Sequence, residues 1–222
     1  MYCRLLLLVC IISFVACRNE QSNHKNAEYP NVADSTVSEN LQESKDRDIW
    51  QNPDYIIGTF GDLTDKTVAD LGAGSGYFSF KLLEKAGKVI ALDIDKHFIQ
   101  YMNQKAAELP PVLRNKFEAR LVDTNDPKLK ENEAQIVLLS NTYIYIQDRI
   151  NYFKRLRNSL SPGGKLFVVE FKKEKLPVGP PESIKLSAGQ VSEELTQAGF
   201  SNIKADSSRL RYQYIVMAEN LK

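Results

Sequence analysis

After Cys17 this chain of 222 residues has no further cysteine; Cys3, Cys10 and Cys17 are the three it holds. From residue 18 onward that excludes a disulfide framework, a cysteine metal site and a thiol nucleophile. Histidine is nearly as scarce, with His24 and His97 the two examples. His97 opens a predicted helix and reads as a solvent-facing residue, so no metal site is expected. An excess of one charge is missing too, since 29 Lys and Arg against 28 Asp and Glu leave +1. Phosphate neutralisation normally shows as a clearly basic domain, so a nucleic-acid partner has no support. The apolar run Leu5 to Ala16, about a dozen residues, is too short to span a bilayer comfortably.

That run instead suits the core of an export signal behind Arg4. It ends in Phe14-Val15-Ala16-Cys17, which resembles a bacterial lipoprotein cleavage box, with a small residue before the cysteine that would carry the lipid. Residues 1–17 are therefore expected to be a lipoprotein-type signal ending at Cys17. An ordinary cleaved signal or an uncleaved anchor is the alternative. Several acyl chains on one residue would hold the protein stably at an exported, membrane-anchored location, facing the periplasm or on the outer membrane. Residues 18–46 are rich in Asn, Ser, Glu, Gln and Lys. Such a stretch cannot bury enough surface to offset its ordering entropy, and it is expected to be a flexible polar tether. A composition of 43% hydrophobic and 26% charged residues leaves one well-cored domain, over residues 47–222.

In that domain short apolar runs alternate with amphipathic ones. Thr67–Leu71, Lys88–Leu92, Phe117–Val122, Gln135–Ser140 and Lys165–Phe171 read as strands, and Ile203–Ala205 and Tyr212–Ala218 as two more. Tyr77–Lys85, Lys96–Glu108, Arg149–Leu160 and Ala188–Ala198 have helical spacing. Pro110-Pro111, Ser161-Pro162-Gly163-Gly164 and Gly199 serve as helix stops. The alternation predicts an α/β, Rossmann-like, mostly parallel sheet covered on both faces. A last pair of strands with no helix between them predicts one antiparallel strand near the C-terminus.

The chemistry centres on Asp70-Leu71-Gly72-Ala73-Gly74-Ser75-Gly76, between a strand and a helix. Glycines let backbone approach a ligand where a Cβ would collide, and the following helix turns its N-terminus to the site. A dinucleotide fingerprint would need glycine at Tyr77, and a P-loop would need Gly-Lys-Ser/Thr. Asp70, two positions before the first glycine, suits S-adenosylmethionine, which has no pyrophosphate to repel it and carries an ammonium. Asp93 ends the second strand about twenty residues on, where a carboxylate can accept both ribose hydroxyls. Asp95 reads better as an N-cap.

Val68–Phe80 with Ser79, Leu92-Asp93-Ile94-Asp95, Asn141-Thr142-Tyr143 and Leu160-Ser-Pro-Gly-Gly164 resemble the class I S-adenosylmethionine-dependent methyltransferases of the small-molecule branch. Arg47-Asp48-Ile49-Trp50-Gln51-Asn52-Pro53 and Gly179-Pro180-Pro181 also resemble a bacterial subgroup of secreted, methyltransferase-like proteins. The resemblance covers the chain from about Arg47 onward. It implies seven strands and S-adenosyl-L-methionine as cofactor, contacted by Asp70, Gly72, Ala73, Gly74, Gly76, Tyr77, Asp93 and Ile94. Asp123 and Thr124 stand where the superfamily meets adenine, with a plain turn aspartate the alternative for Asp123, and Asn141 stands beyond the fourth strand. In that subgroup two histidines commonly follow Asn-Thr-Tyr; this chain has Ile144 and Tyr145 instead.

Open α/β sheets bind ligands at the carboxyl ends of their strands. Tyr143 and Tyr145 are therefore candidates to orient an acceptor or, with a lowered pKa, to remove its proton; Tyr143 packing over the cofactor is the alternative. Trp50 and Gln51 are candidates to bind substrate as a lid over the methionine end of the cofactor; Trp50 as a simple core anchor is the alternative. Arg149 either meets substrate or caps a structural carboxylate. The function expected is methyl transfer to an unidentified small or envelope-associated acceptor. The alternative, which the two histidine replacements favour, is a catalytically silent lipoprotein that binds a nucleoside-like ligand or a protein partner.

Overall fold

The computed structural model describes residues 47–222. The signal, the tether and lipidation at Cys17 lie outside the described residues. Seven strands form one sheet in the order β3-β2-β1-β4-β5-β7-β6. They are β1 (Thr67–Leu71), β2 (Lys88–Asp93), β3 (Phe117–Leu121), β4 (Ala134–Ser140), β5 (Leu160–Phe171), β6 (Ser201–Asp206) and β7 (Gln213–Glu219). Neighbours pair in parallel from β3 to β5, and β7 runs antiparallel to both β5 and β6. The sheet, its parallel core and its single reversed strand are those the sequence predicts.

Period-two alternation along the strands divides the core into two layers. Ala69, Leu71, Val137, Leu139, Leu166 and Val168 pack against Tyr152, Phe153 and Leu156 of α5 (Arg149–Ser159) and Val191 and Leu195 of α6 (Ala188–Gln197). Val68, Ile136, Leu138, Phe167 and Val169 face α1 (Pro53–Gly58) and α2 (Tyr77–Leu83) on the other side. Helix α3 (Lys96–Ala107) continues that second layer through Met102. All seven strands and both covering layers thus lie within residues 47–222, which carry their own core.

Three local features depart from the predicted elements. Asn52-Pro53 opens α1, where the Asn52 side chain accepts the Tyr55 N–H and proline occupies the first turn. Proline opens α4 (Pro111–Arg114) in the same way, so the pair read as a stop also starts a short helix. Strand β5 begins at Leu160, inside the predicted helix and ahead of the Pro-Gly-Gly stop. Leu160 already pairs with Ala134, and a register shift before Lys165 takes up the intervening residues, which is how proline is accommodated in a strand.

Strand order reverses between β1 and β4. The crevice outside the carboxyl ends of two such strands is where open α/β sheets accept ligands. The glycine loop leaves β1 at that point and Asn141 leaves β4.

Candidate functional site

Carbonyl and carboxylate acceptors at the end of β2 shape the glycine loop. Gly72 and Ala73 donate their N–H groups to the Leu92 carbonyl at 2.8 and 3.0 Å, and Gly74 donates to Asp93 Oδ2 at 2.7 Å. Gly76 then caps α2 in the left-handed region, φ 84°. The glycines are not equivalent. A Cβ on Gly72 would collide with the Thr142 side chain, whereas a Cβ on Gly74 would meet nothing within 4 Å. The open side of the loop is therefore at Gly74, next to the Asp93 carboxylate.

Asp93 is buried, yet its carboxylate keeps acceptor capacity. Oδ1 accepts the Asp95 N–H at 2.9 Å and Oδ2 the Gly74 N–H. An ionised carboxylate offers about four acceptor positions, and with the Ile94 N–H also bearing on it acceptor capacity remains for a ligand hydroxyl. Burial raises its pKa against the opposing pull of those N–H groups. Asp95 does serve as the N-cap of α3, accepting the His97 N–H at 2.8 Å. Asp70 turns inward: Ser79 Oγ donates to its Oδ2 at 2.6 Å, and burial lifts it to about 6. In this structure its charge meets Ser79, with Arg47 acting on it at longer range.

Residues 47–51 form a helical turn over the same edge of the sheet. Arg47 lies over the Tyr77 ring, 4.3 Å from its centroid, and Asp48 accepts from Tyr77 Oη at 2.6 Å and pairs with Lys81 at 3.0 Å. Trp50 packs against Phe171, with ring centroids 5.3 Å apart. Gln51 is fully buried. Its Nε2 donates to Ser140 Oγ at 3.0 Å and to Gln213 Oε1 at 2.9 Å. The lid expected of Trp50 and Gln51 is therefore seated in place, and Gln51 faces protein groups instead of an acceptor. A cleft of about 590 Å³ flanks the loop along α2 and α3, lined by Ser75, Gly76, Tyr77, Phe80 and Tyr101. Neither Asp93 nor Asn141 lines it.

The structure moves two expected residues away from the chemistry. Tyr143 is fully buried, stacked on Phe153 at 4.7 Å, and its hydroxyl donates to Glu194 Oε2 at 2.9 Å. Burial and the Glu194 charge raise its pKa, opposite to the lowering a base requires. Arg149 donates to both Glu194 oxygens, at 2.6 and 2.8 Å. This is the capping of a carboxylate that the sequence offered as the alternative, since α6 brings Glu194 to meet it. Tyr145 is exposed at the same edge of the sheet.

Asn141 stands beyond β4 with a left-handed backbone, φ 59°, and its N–H is donated to the Val169 carbonyl at 2.9 Å. Ile94 is exposed after Asp93. Asp123 and Thr124 lie in an exposed turn closed by Asp126, where Asp123 pairs with Lys128 at 2.9 Å. The turn stays near Asp93, since Val122 donates to the Asp93 carbonyl at 3.0 Å.

Three residues that shape this edge, Glu170, Ser140 and Gln213, were not singled out by their sequence pattern, and Thr142 entered only as part of the Asn-Thr-Tyr motif. Thr142 fills the space over Gly72. Buried Glu170 accepts the Tyr143 N–H at 2.8 Å and holds the turn after β4, with burial raising it to about 7. Ser140 and Gln213 receive Gln51. A polar residue inside a run that otherwise packs in the core, as at Glu170 and Gln213, was the available signal.

Topology, glycine loop and the carboxylate ending β2 together define a Rossmann-like domain with a methyltransferase-type fold. Residues 68–164 match the family model of a methyltransferase domain. The chain is 32% identical over 143 residues to phosphoethanolamine N-methyltransferase 1 of Triticum aestivum, covering 62% of this chain and 28% of that one. Against the ubiquinone/menaquinone biosynthesis C-methyltransferase of Wigglesworthia glossinidia brevipalpis it is 27% identical over 130 residues, covering 56% of this chain and 50% of the relative. The chain thus spans half or less of the length of these two curated relatives. The crystal structure of an S-adenosylmethionine-dependent methyltransferase from Aquifex aeolicus superposes with a TM-score of 0.74 at 21% identity, over 85% of this chain and 99% of that one. That likeness establishes the fold.

Proposed function

We propose that the domain transfers a methyl group from S-adenosylmethionine to a small acceptor, and that lipid carried on Cys17 anchors it to a membrane as a lipoprotein. The observation that carries the first part is the Asp93 carboxylate, fixed by the Gly74 N–H at 2.7 Å on the open side of the loop and left with acceptor capacity. In this reading Asp93 accepts the ribose hydroxyls, Gly72 to Gly76 supply the close backbone approach, and Asp123 and Thr124 border the adenine. Asn141 meets the amino-acid end. When bound, the cofactor supplies an electrophilic methyl group on a sulfonium.

What the chain's own residues do is align and exclude water. Trp50 and the turn 47–51 cover the acceptor side, and Tyr145 is left as the tyrosine able to touch an acceptor. Since Tyr143 is tied to Glu194, the reading favours nucleophiles that need no strong base, such as a neutral amine or a thiolate, for which alignment dominates catalysis. The relatives carry names for both N- and C-methyl transfer, so the acceptor class is left to experiment. An envelope-associated acceptor follows from the export signal read at the N-terminus. The second reading, binding without turnover, draws on Ile144 and Tyr145 standing where the resembling subgroup has histidines.

Incubation of residues 47–222 with methyl-labelled S-adenosylmethionine and panels of amines, thiols and enols tests turnover. Acceptor-dependent release of S-adenosylhomocysteine is expected. Binding of both nucleosides with no label transferred to any panel or envelope extract would favour the silent reading.

A further inference from the structure

Three carboxamides stand in series at the edge of the site, and their directions are fixed by the group that starts the chain. Arg47 Nε donates to Gln51 Oε1 at 2.8 Å. A guanidinium is a donor in every bond it makes, so Gln51 must turn its oxygen to Arg47 and its NH2 inward. That NH2 meets Ser140 Oγ and Gln213 Oε1. Gln213, fully buried, must then present its own NH2 to the next group, and Nε2 donates to Asn141 Oδ1 at 2.6 Å. With Oδ1 taken, the side-chain group Asn141 has left to offer a ligand is its NH2. Reversing any one amide would set two donors or two acceptors face to face.

The geometry points to Gln213 as a positioning residue that, with Arg47 and Gln51, fixes Asn141 as a hydrogen-bond donor to the carboxylate of the cofactor's amino-acid end. This rests on the S-adenosylmethionine reading above. The span is right: Asp93 ends β2 and Asn141 follows β4, two strands away, about 10 Å at the usual strand spacing. A molecule held by its ribose at Asp93 and laid across the reversal point therefore brings its far end to Asn141. The relay also makes the turn 47–51 part of the cofactor site, because unseating Gln51 removes the partner that orients Gln213.

The test uses two ligands that differ at the far end. S-adenosylhomocysteine has the carboxylate; 5′-methylthioadenosine keeps the nucleoside and lacks the amino-acid group. Both are titrated calorimetrically into residues 47–222, wild type and Gln213→Glu. An ionised glutamate can accept from Gln51 but cannot donate to Asn141, so in titrations run at a pH high enough to ionise this buried carboxyl Asn141 turns its oxygen toward the ligand. Affinity for S-adenosylhomocysteine is expected to fall about tenfold or more, with 5′-methylthioadenosine unchanged within about twofold. If Gln213→Glu fails to fold, Gln213→Met and Arg47→Met take its place, with a smaller loss in the same direction for S-adenosylhomocysteine alone. Equal losses for both ligands, or none, overturn the relay while leaving the cofactor reading intact. A wild type that binds neither ligand overturns both.

Discussion

Thr142 lays its side chain over the Cα of Gly72, in the space that a Cβ at that position would need. The first residue after β1 and the second after β4 are thus locked together across the reversal point of the sheet. Gly72 also sits at φ 77°, a conformation that costs an ordinary L-residue about 1–2 kcal/mol. Gly72→Ala is therefore expected to lose about 2–4 kcal/mol in denaturant unfolding, strain and overpacking combined. Thr142→Gly in the same chain should restore the packing part and leave the backbone part. A double variant no more stable than Gly72→Ala would show that the crowding is unimportant.

The Tyr143–Glu194–Arg149 cluster predicts a separation of stability from ligand binding. Tyr143→Phe removes one hydrogen bond to a carboxylate and is expected to cost about 1.5–3 kcal/mol of unfolding free energy. Affinity for S-adenosylhomocysteine should stay within about twofold. A variant with unchanged stability and impaired binding would return Tyr143 to the site.

Two buried carboxyls give the domain a distinctive pH dependence. Burial raises Glu170 to about 7 and Asp70 to about 6, from ordinary values of 4.5 and 3.8. The folded state therefore holds more protons than the unfolded chain between those limits, and stability falls as pH rises through them. Their favourable contribution is complete below the unfolded values and lost above the folded ones. Glu170→Gln should flatten the slope between about pH 4.5 and 7, read from melting temperatures across that range. A slope that persists in full would assign it to other groups.

Attachment through Cys17 is checked by fractionating cells that carry the full chain or Cys17→Ser. The wild type is expected in the membrane fraction and the variant to be released from it. An unaltered membrane fraction in the variant would count against lipidation at that residue.

Much of the fold was legible because its signals are local. Apolar runs such as Val68–Leu71 and Ile136–Leu139 mark strands whatever their partners, and the glycine spacing with Asp93 marks the edge of the candidate site. Pairing across long separations was not legible. Glu194 reaches Arg149 and Tyr143 from α6, and nothing in the local pattern around Tyr143 announces that its hydroxyl is taken. Gln51 reads as a lid residue by position, but Ser140 and Gln213, brought in by β4 and β7, decide that it is buried. Asp70 is the instructive middle case. Its place before the glycines was plain from the sequence, while its engagement by Ser79, in the first turn of α2, needed the fold.

In the proposed function Asp93 and the open glycine loop receive the nucleoside of S-adenosylmethionine. Calorimetric titration of residues 47–222 with S-adenosylhomocysteine, wild type against Asp93→Ala, tests it most directly. Saturable binding is expected in the wild type, weakened about tenfold or more in a variant that remains folded. No binding at millimolar concentration, or equal binding by the two proteins, would contradict the account.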